Sequence, residues 1–287
     1  KLVSKNINLL KGKALQNCVI KPKKGLNIPN SIYDDNLQEK IYTKYFNLFS
    51  KTKIDAVGLS FVQNKRIIEK LKERYPELNL VSKVENSEGL KNVEEISKSS
   101  DAIMIDRGDL SAEIGNDKLY DAINKISKIC KKYGRPLIMA TENLESLHNQ
   151  NIPSKNDIIS LGHSMDINSD IIMLSEETAI SSRWKKIFNW LSNFINSTKK
   201  NKELKFSNEI FWNIAKLTKD YTLVLFSRHG LMFDKIFENN VSNKVIVFTD
   251  KIKTFNLSRF YKNTDSILTK KFDNKNINRF YFNNIKK

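Results

Sequence analysis

Lys83 and Glu85 stand two residues apart at the end of the run "LNLVSKV" (78–84) and just beyond it. If that run is a strand, alternation sends both side chains to the same side. A lysine in a buried parallel strand is costly unless it meets an anion. The next apolar run opens the stretch "AIMIDRGDLSAEIG" (102–115), which breaks from four apolar residues into Asp106, Arg107, Gly108 and Asp109. Two further runs end in Thr141 and in Ser175-Glu176-Glu177-Thr178. Glu85 and Asp109, on neighbouring strands, can each give one oxygen to Mg²⁺ or Mn²⁺ and leave positions for water and substrate. Gly108 allows a tight turn, after which the amides of residues 109–111 face an anion at a short helix start. Lys83 then neutralises charge on a phosphoryl oxygen or an enolate.

Each residue alone has a plainer reading. Glu85 can be a solvent-exposed strand end, Thr141 and Ser175 can be helix caps, and Glu176 and Glu177 suit a helix N-terminus. The tripeptide Arg107-Gly108-Asp109 carries no weight as an adhesion signal. The functional reading rests on the order and spacing of the whole set.

Composition narrows the chemistry. The 287 residues are 40% hydrophobic and 28% charged, as in a globular protein with a sizeable core. Two cysteines are too few for a disulfide framework or a cysteine-rich metal site. Three histidines leave little material for zinc or triad chemistry, which points to Lys, Asp, Glu and Thr. No apolar run approaches the roughly 20 residues needed to cross a bilayer. No secretory signal is legible, and the expected setting is a reducing cytoplasm with no membrane partner. The start at Lys1 rather than Met suggests a processed chain or a fragment. A net charge of +17 invites a nucleic-acid reading, but the charge is uneven. Residues 81–180 hold 17 acidic and 11 basic side chains, so the net charge is −6 where the candidate site lies. The lysine excess runs with abundant Asn and Ile, the mark of an AT-rich coding sequence. Nucleic acid is therefore not the expected partner.

The elements that must position these residues are legible as a period. Apolar runs at 55–61, 78–84, 101–105, 135–140 and 169–175 are unbroken rather than alternating, as suits parallel strands covered on both faces. Helical patterns separate them. In "NDKLYDAINKISKICKKYG", Leu119, Ile123, Ile126 and Cys130 share a face, lysines gather in the last turn, and Gly134 stops the helix. Five β-then-α units at about 29 residues each, within 52–196, make an α/β fold. They match five-eighths of a (β/α)₈ TIM barrel, whose ligands gather at the carboxyl ends of the strands. Three further units would close such a barrel. A polar, lysine-rich linker (196–209) precedes a smaller α/β unit with strands expected at 221–227, 244–250 and 265–272. Residues 11–30 read as short strands and turns before a helix capped by Asp34 or Asp35.

Taken together, these segments resemble the pyruvate kinase family. "SKVENSEGLKN" resembles its "SKIEN.EG..N" strand, "IMIDRGDLSAEI" its "IMVARGDLG.E." segment, and "IMATENLESL" its "ICATQMLESM". "DIIMLSEETA" is similar to "D.IMLSGETA", "PSKNDI" to "PTRAE", "KKGLNIPN" to "KKGVNLPG", and "GLSFV" to "ASFI". The matches keep their order over residues 17–270. The resemblance implies phosphoryl transfer from phosphoenolpyruvate to ADP, giving pyruvate and ATP. It implies a catalytic set of Lys83, Thr141 and Arg107, with Lys83 stabilising the phosphoryl group. Lys83, Gly108, Asp109 and Thr141 become substrate-binding, and Glu85 and Asp109 the ligands of Mg²⁺ or Mn²⁺. K⁺ is implied too, with ligands on strands this chain does not carry. So is a homo-oligomer, a tetramer in the family, or a complement supplying the missing barrel strands.

The domain expectation is a lid remnant at 1–33, a partial TIM barrel at 34–200 and an incomplete C-terminal three-layer α/β domain at 201–287. The sequence departs from the family pattern where Asp106 replaces an alanine, Ser111 a glycine, Asn143 a methionine, Ser154 a threonine and Glu176 a glycine. Asp106 adds negative charge beside an anion site, which is unfavourable unless paired. Two alternatives stay open: a metal-dependent lyase or aldolase of the related pyruvate-enolate barrels, and a non-catalytic homologue with a binding or regulatory role.

Overall fold

The computed structural model describes residues 2–6, 9–13, 17, 28–49, 52, 54–198, 210–218 and 220–272. A short antiparallel hairpin comes first, β1 (Leu2–Asn6) and β2 (Leu9–Gly12). The sequence pattern did not announce this pairing, and most of the strands and turns expected at 11–30 lie outside the described residues. Helix α1 (Asp35–Phe49) follows. Asp34 is its cap, its Oδ1 accepting from the amides of Asn36 and Leu37 at 2.8 and 2.9 Å.

Five parallel strands then alternate with helices. They are β3 (Ala56–Leu59), β4 (Asn79–Val84), β5 (Ala102–Asp106), β6 (Leu137–Ala140) and β7 (Ile171–Ile172), hydrogen-bonded in that order. Between them run α2 (Lys65–Arg74), α3 (Ser87–Lys91), α4 (Val93–Ser99), α5 (Arg107–Ile114), α6 (Asn116–Lys132) and α7 (Lys155–Asp166). Sequence order equals spatial order, as in a barrel wall. Strand β7 is two residues long against an expected seven. Among the described residues it pairs only with β6.

The helix side of the sheet holds the main core, built from Leu59, Leu80, Val84, Ile103, Ile105 and Leu137 against Ile67, Ile68, Ile96, Ile123 and Ile126. Each such fully buried aliphatic contributes about 1.5–3 kcal/mol. The expected face of α6 is the observed one, with Ile123, Ile126 and Cys130 buried and Leu119 packed against them. The opposite side of the sheet carries a smaller apolar set, Val81, Ala102, Met104, Ile138 and Ala140.

A single-turn helix α8 (Glu176–Ala179) and the longer α9 (Trp184–Ser197) finish this part. The C-terminal unit contains α10 (Ile210–Leu217), β8 (Leu223–Phe226), α11 (Leu231–Glu238), β9 (Val245–Thr249), α12 (Ile252–Leu257) and β10 (Thr264–Leu268). Its three strands form a parallel sheet in the order β10-β9-β8, close to the three runs read from sequence.

This unit grips the amino ends of the barrel strands. Tyr261 donates its hydroxyl to Gly134 O at 3.1 Å, just before β6. Asn79 at the start of β4 donates to Lys253 O at 3.2 Å, and Arg259 pairs with Asp55 before β3. Phe260 packs against the smaller apolar face of the sheet. At Gly134 a Cβ would lie 2.6 Å from Asp234 Cα, and φ is +63°, so only glycine lets α11 approach this closely. Among the described residues, no helix is long and apolar enough to cross a membrane.

Candidate active site

At the carboxyl edge of the five-stranded sheet, polar side chains from four strand ends converge. Lys83, on β4, is four-fifths buried. Its ammonium pairs with the Glu85 carboxylate, lies 3.4 Å from Asp106 Oδ2, and donates to Ser60 Oγ at 3.3 Å. Burial works against its charge, but the carboxylates of Glu85 and Asp106 outweigh that and raise its pKa, so Lys83 stays a cation.

Glu85 is fully buried. Oε2 accepts from the Phe61 amide at 2.5 Å. Burial raises its pKa, while Lys83 and that amide pull it back. Asp109 is raised as well, first by burial and then by the neighbouring Asp106 carboxylate, with Lys83 opposing. The exposed-strand-end reading of Glu85 is therefore excluded.

Glu85, Asp106 and Asp109 each present a carboxylate oxygen such that all three lie within 4.8 Å of one another. Hard oxygen donors at this spacing fit a Mg²⁺- or Mn²⁺-sized cation with positions left for other ligands. Sequence reasoning paired Glu85 with Asp109 and treated Asp106 as a disturbance. The structure places Asp106 inside the same cluster.

The turn expected at Gly108 is absent. Strand β5 runs to Asp106 and α5 begins at Arg107 without a loop. Asp106 caps that helix, its Oδ1 facing the Asp109 amide at 3.4 Å. Gly108 has no positive φ, and a Cβ there would make only ordinary contacts, 3.8 Å from Asp106 Oδ1 and 3.9 Å from Thr141 Oγ1.

Thr141 is not a helix cap. It follows β6 with φ +59°, and Glu142 and Leu144 share the left-handed region at +51° and +58°. A β-branched residue there is strained, and such strain needs surrounding structure to hold it. Arg107 supplies the hold. Its guanidinium, almost wholly buried, donates to Ala140 O at 3.2 Å, Thr141 O, Asn143 Oδ1 at 2.9 Å and Ser160 Oγ at 2.5 Å. Thr141 Oγ1 in turn accepts from the Gly108 amide at 3.2 Å and faces Asp106 Oδ1 at 3.2 Å.

So Lys83, Glu85, Gly108, Asp109 and Thr141 come together, while the Arg107 guanidinium turns beneath Thr141. Ser60, Asn143 and Ser160 were not picked out from sequence as members of this network. Ser60 had a signal, because "GLSFV" ends a strand at the same edge. Asn143 stood out only as a departure from the family pattern, and Ser160 had no signal beyond being polar. Ser175 lies at the start of α8, its carbonyl accepting from the Thr178 and Ala179 amides. The side chains of Glu176 and Glu177 lie outside the described residues.

Comparison with known proteins follows the same outline. The family model described as "Pyruvate kinase, barrel domain" matches residues 2–183. A pyruvate kinase from Borreliella burgdorferi is 29% identical over 211 residues, covering 71% of this chain and 44% of the relative. One from Methanocaldococcus jannaschii is 24% identical over 272 residues, covering 88% of this chain and 61% of the relative. The chain thus spans about half the length of these relatives. Among solved structures, a pyruvate kinase from Cryptosporidium parvum superimposes with a TM-score of 0.70 at 21% identity, over 88% of this chain and 57% of that one.

Proposed function

Since the chain belongs to the pyruvate kinase family, we propose that it carries the greater part of a site that transfers a phosphoryl group from phosphoenolpyruvate to ADP. The observation that carries this reading is the convergence of Lys83, Glu85, Asp109 and Thr141 from three neighbouring strand ends at one carboxyl edge. Phosphoryl transfer asks little covalent chemistry of a protein. It asks for positioning and for charge placed where charge moves.

Glu85 and Asp109 would hold Mg²⁺ or Mn²⁺, which when bound neutralises and orients phosphoryl oxygens. Lys83 is held by its two carboxylate partners with its charge directed into the site, where it stabilises the phosphoryl group and the enolate left behind. The amides of Gly108 and Asp109 and the Thr141 hydroxyl form the cradle for the substrate carboxylate. Arg107 positions that cradle from below through Thr141 O. K⁺ belongs to this reading through the family, with ligands on barrel strands other than these five. Partners are phosphoenolpyruvate and ADP or ATP in a cytoplasmic setting. Assembly is either as a homo-oligomer, tetrameric as in the family, or with a complement that carries the remaining strands.

The test is a coupled assay of pyruvate formation on the complete protein, with Mg²⁺ and K⁺ present and ADP varied. Lys83→Met keeps the stem and removes the charge. Losing one preorganised partner of transition-state charge costs on the order of 3 kcal/mol, so kcat should fall about a hundredfold with KM little changed. Turnover that persists in Lys83→Met, or that needs no ADP, would end the reading. Pyruvate released from a hydroxy-keto acid without nucleotide would favour the lyase class. Binding without any pyruvate would favour a non-catalytic homologue.

A further inference from the structure

We propose that Asp106 is a tethered anion that competes with the substrate's own anionic group for the cradle, and so sets the affinity of the site. This rests on the reading of Lys83, Thr141 and the start of α5 as that cradle.

The geometry supplies the argument. Three groups that can receive an anion converge there: the Lys83 ammonium, the Thr141 hydroxyl and the Asp109 amide. In this chain all three face one internal carboxylate. Asp106 Oδ2 lies 3.4 Å from Lys83 Nζ, while Oδ1 lies 3.2 Å from Thr141 Oγ1 and 3.4 Å from the Asp109 amide. A carboxylate at the end of a buried strand, over a helix N-terminus and beside a lysine, is where an incoming carboxylate would be most stabilised. These contacts are at the long end of hydrogen-bond range. An incoming anion can therefore displace them, but only against the repulsion of the carboxylate it displaces.

Charge gives the same sign. Lys83, Glu85 and Asp109 sum formally to −1, and Asp106 takes the set to −2. With a divalent cation bound the totals become +1 without Asp106 and 0 with it. Asp106 thus trades a net attraction for anionic substrate against an internally satisfied resting site. Thr141 adds to the effect, because its single proton is shared between Asp106 and Ala140 O, 2.8 Å away.

The experiment is calorimetric titration of the full chain with phosphoenolpyruvate in the presence of Mn²⁺, for wild type, Asp106→Asn and Asp106→Ala. A separate Mn²⁺ titration of each serves as the second readout, and circular dichroism checks the fold. Asp106→Asn retains a good helix cap and nearly the same shape, so it removes charge without removing α5. The expected result is phosphoenolpyruvate binding at least tenfold tighter in both variants at saturating Mn²⁺, with Mn²⁺ affinity lowered by less than tenfold, as loss of one nearby charge requires. Unchanged, weaker or absent phosphoenolpyruvate binding in folded Asp106→Asn would overturn the proposal. A tenfold or greater loss of Mn²⁺ affinity in that variant would also overturn it, by making Asp106 a metal ligand instead. Failure here is separable from failure of the function. Variants that gain affinity yet make no pyruvate would sink phosphoryl transfer and leave this inference standing. A wild type that turns over with ADP, beside variants that gain nothing, would do the reverse.

Discussion

Arg107 sits beneath the turn that presents Thr141, with four acceptors around one guanidinium. Lysine offers a point charge in place of that fork and cannot satisfy acceptors spread over Ala140, Thr141, Asn143 and Ser160. In Arg107→Lys at least one buried carbonyl loses its partner, at a cost of about 1–3 kcal/mol. The left-handed Thr141 then relaxes, because Arg107 is the donor to its carbonyl among the described residues. The expected kinetic outcome is a fall in kcat of tenfold or more, with a smaller rise in KM. An Arg107→Lys enzyme with wild-type kcat would show that the turn keeps its shape unaided. The role of Arg107 as a positioning group was hidden in the sequence for a physical reason. Its partners lie 33 to 53 residues away and are backbone oxygens or unremarkable polar side chains. Lys83 and Glu85 were legible because two charges in an apolar strand need each other, and that need is local.

Helix α7 links capping to the site. Ser154 Oγ accepts from the Asp157 amide at 3.1 Å, and the Asp157 carboxylate accepts from the Ser154 amide at 3.1 Å, a reciprocal capping box. The same helix carries Ser160, which receives Arg107. Ser154→Ala should cost about 1 kcal/mol, or roughly 2–4 °C in Tm for a chain of this size. Ser154→Thr, which keeps a capping hydroxyl, should leave Tm within about a degree. A thermal melt followed by circular dichroism decides both, and an Ala variant that melts with the wild type would remove the cap from the argument. Elements such as α6 and β4 could be read ahead of the structure because apolar spacing reports burial directly. The hairpin β1–β2 could not, since "LVSKNINLLKG" (2–12) carries no turn signal of the kind that fixes a hairpin. The abrupt start of α5 was missed because Gly108 suggested a turn, whereas Asp106 is the cap that lets the strand pass straight into a helix.

At the scale of the whole chain, β3 and β7 are the edge strands of the sheet, open among the described residues. Exposed apolar side chains gather near both: Leu37, Ile41 and Tyr45 on α1, and Ile180, Trp184 and Phe188 around α9. Exposed parallel edges beside apolar helices invite association. The chain by itself should elute from size exclusion as soluble aggregates or higher oligomers, and a partner carrying the remaining βα units should convert it to a defined species. A monodisperse monomer with a single sharp melt would show that these edges are harmless. The opposite rim makes a second test. Gly134→Ala places a methyl against the backbone of α11 at a positive φ, costing about 1–2 kcal/mol for the backbone alone. Its Tm should drop by several degrees while phosphoenolpyruvate affinity stays within twofold. The reason is distance along the strands: the C-terminal unit holds their amino ends, and the polar cluster occupies their carboxyl ends. That polarity divides the molecule's vulnerabilities. Random mutagenesis sorted by solubility and by turnover should yield two populations of lesions that hardly overlap on the sequence. Variants could then be recombined across the sheet with their effects adding, so that durability and chemistry can be altered independently.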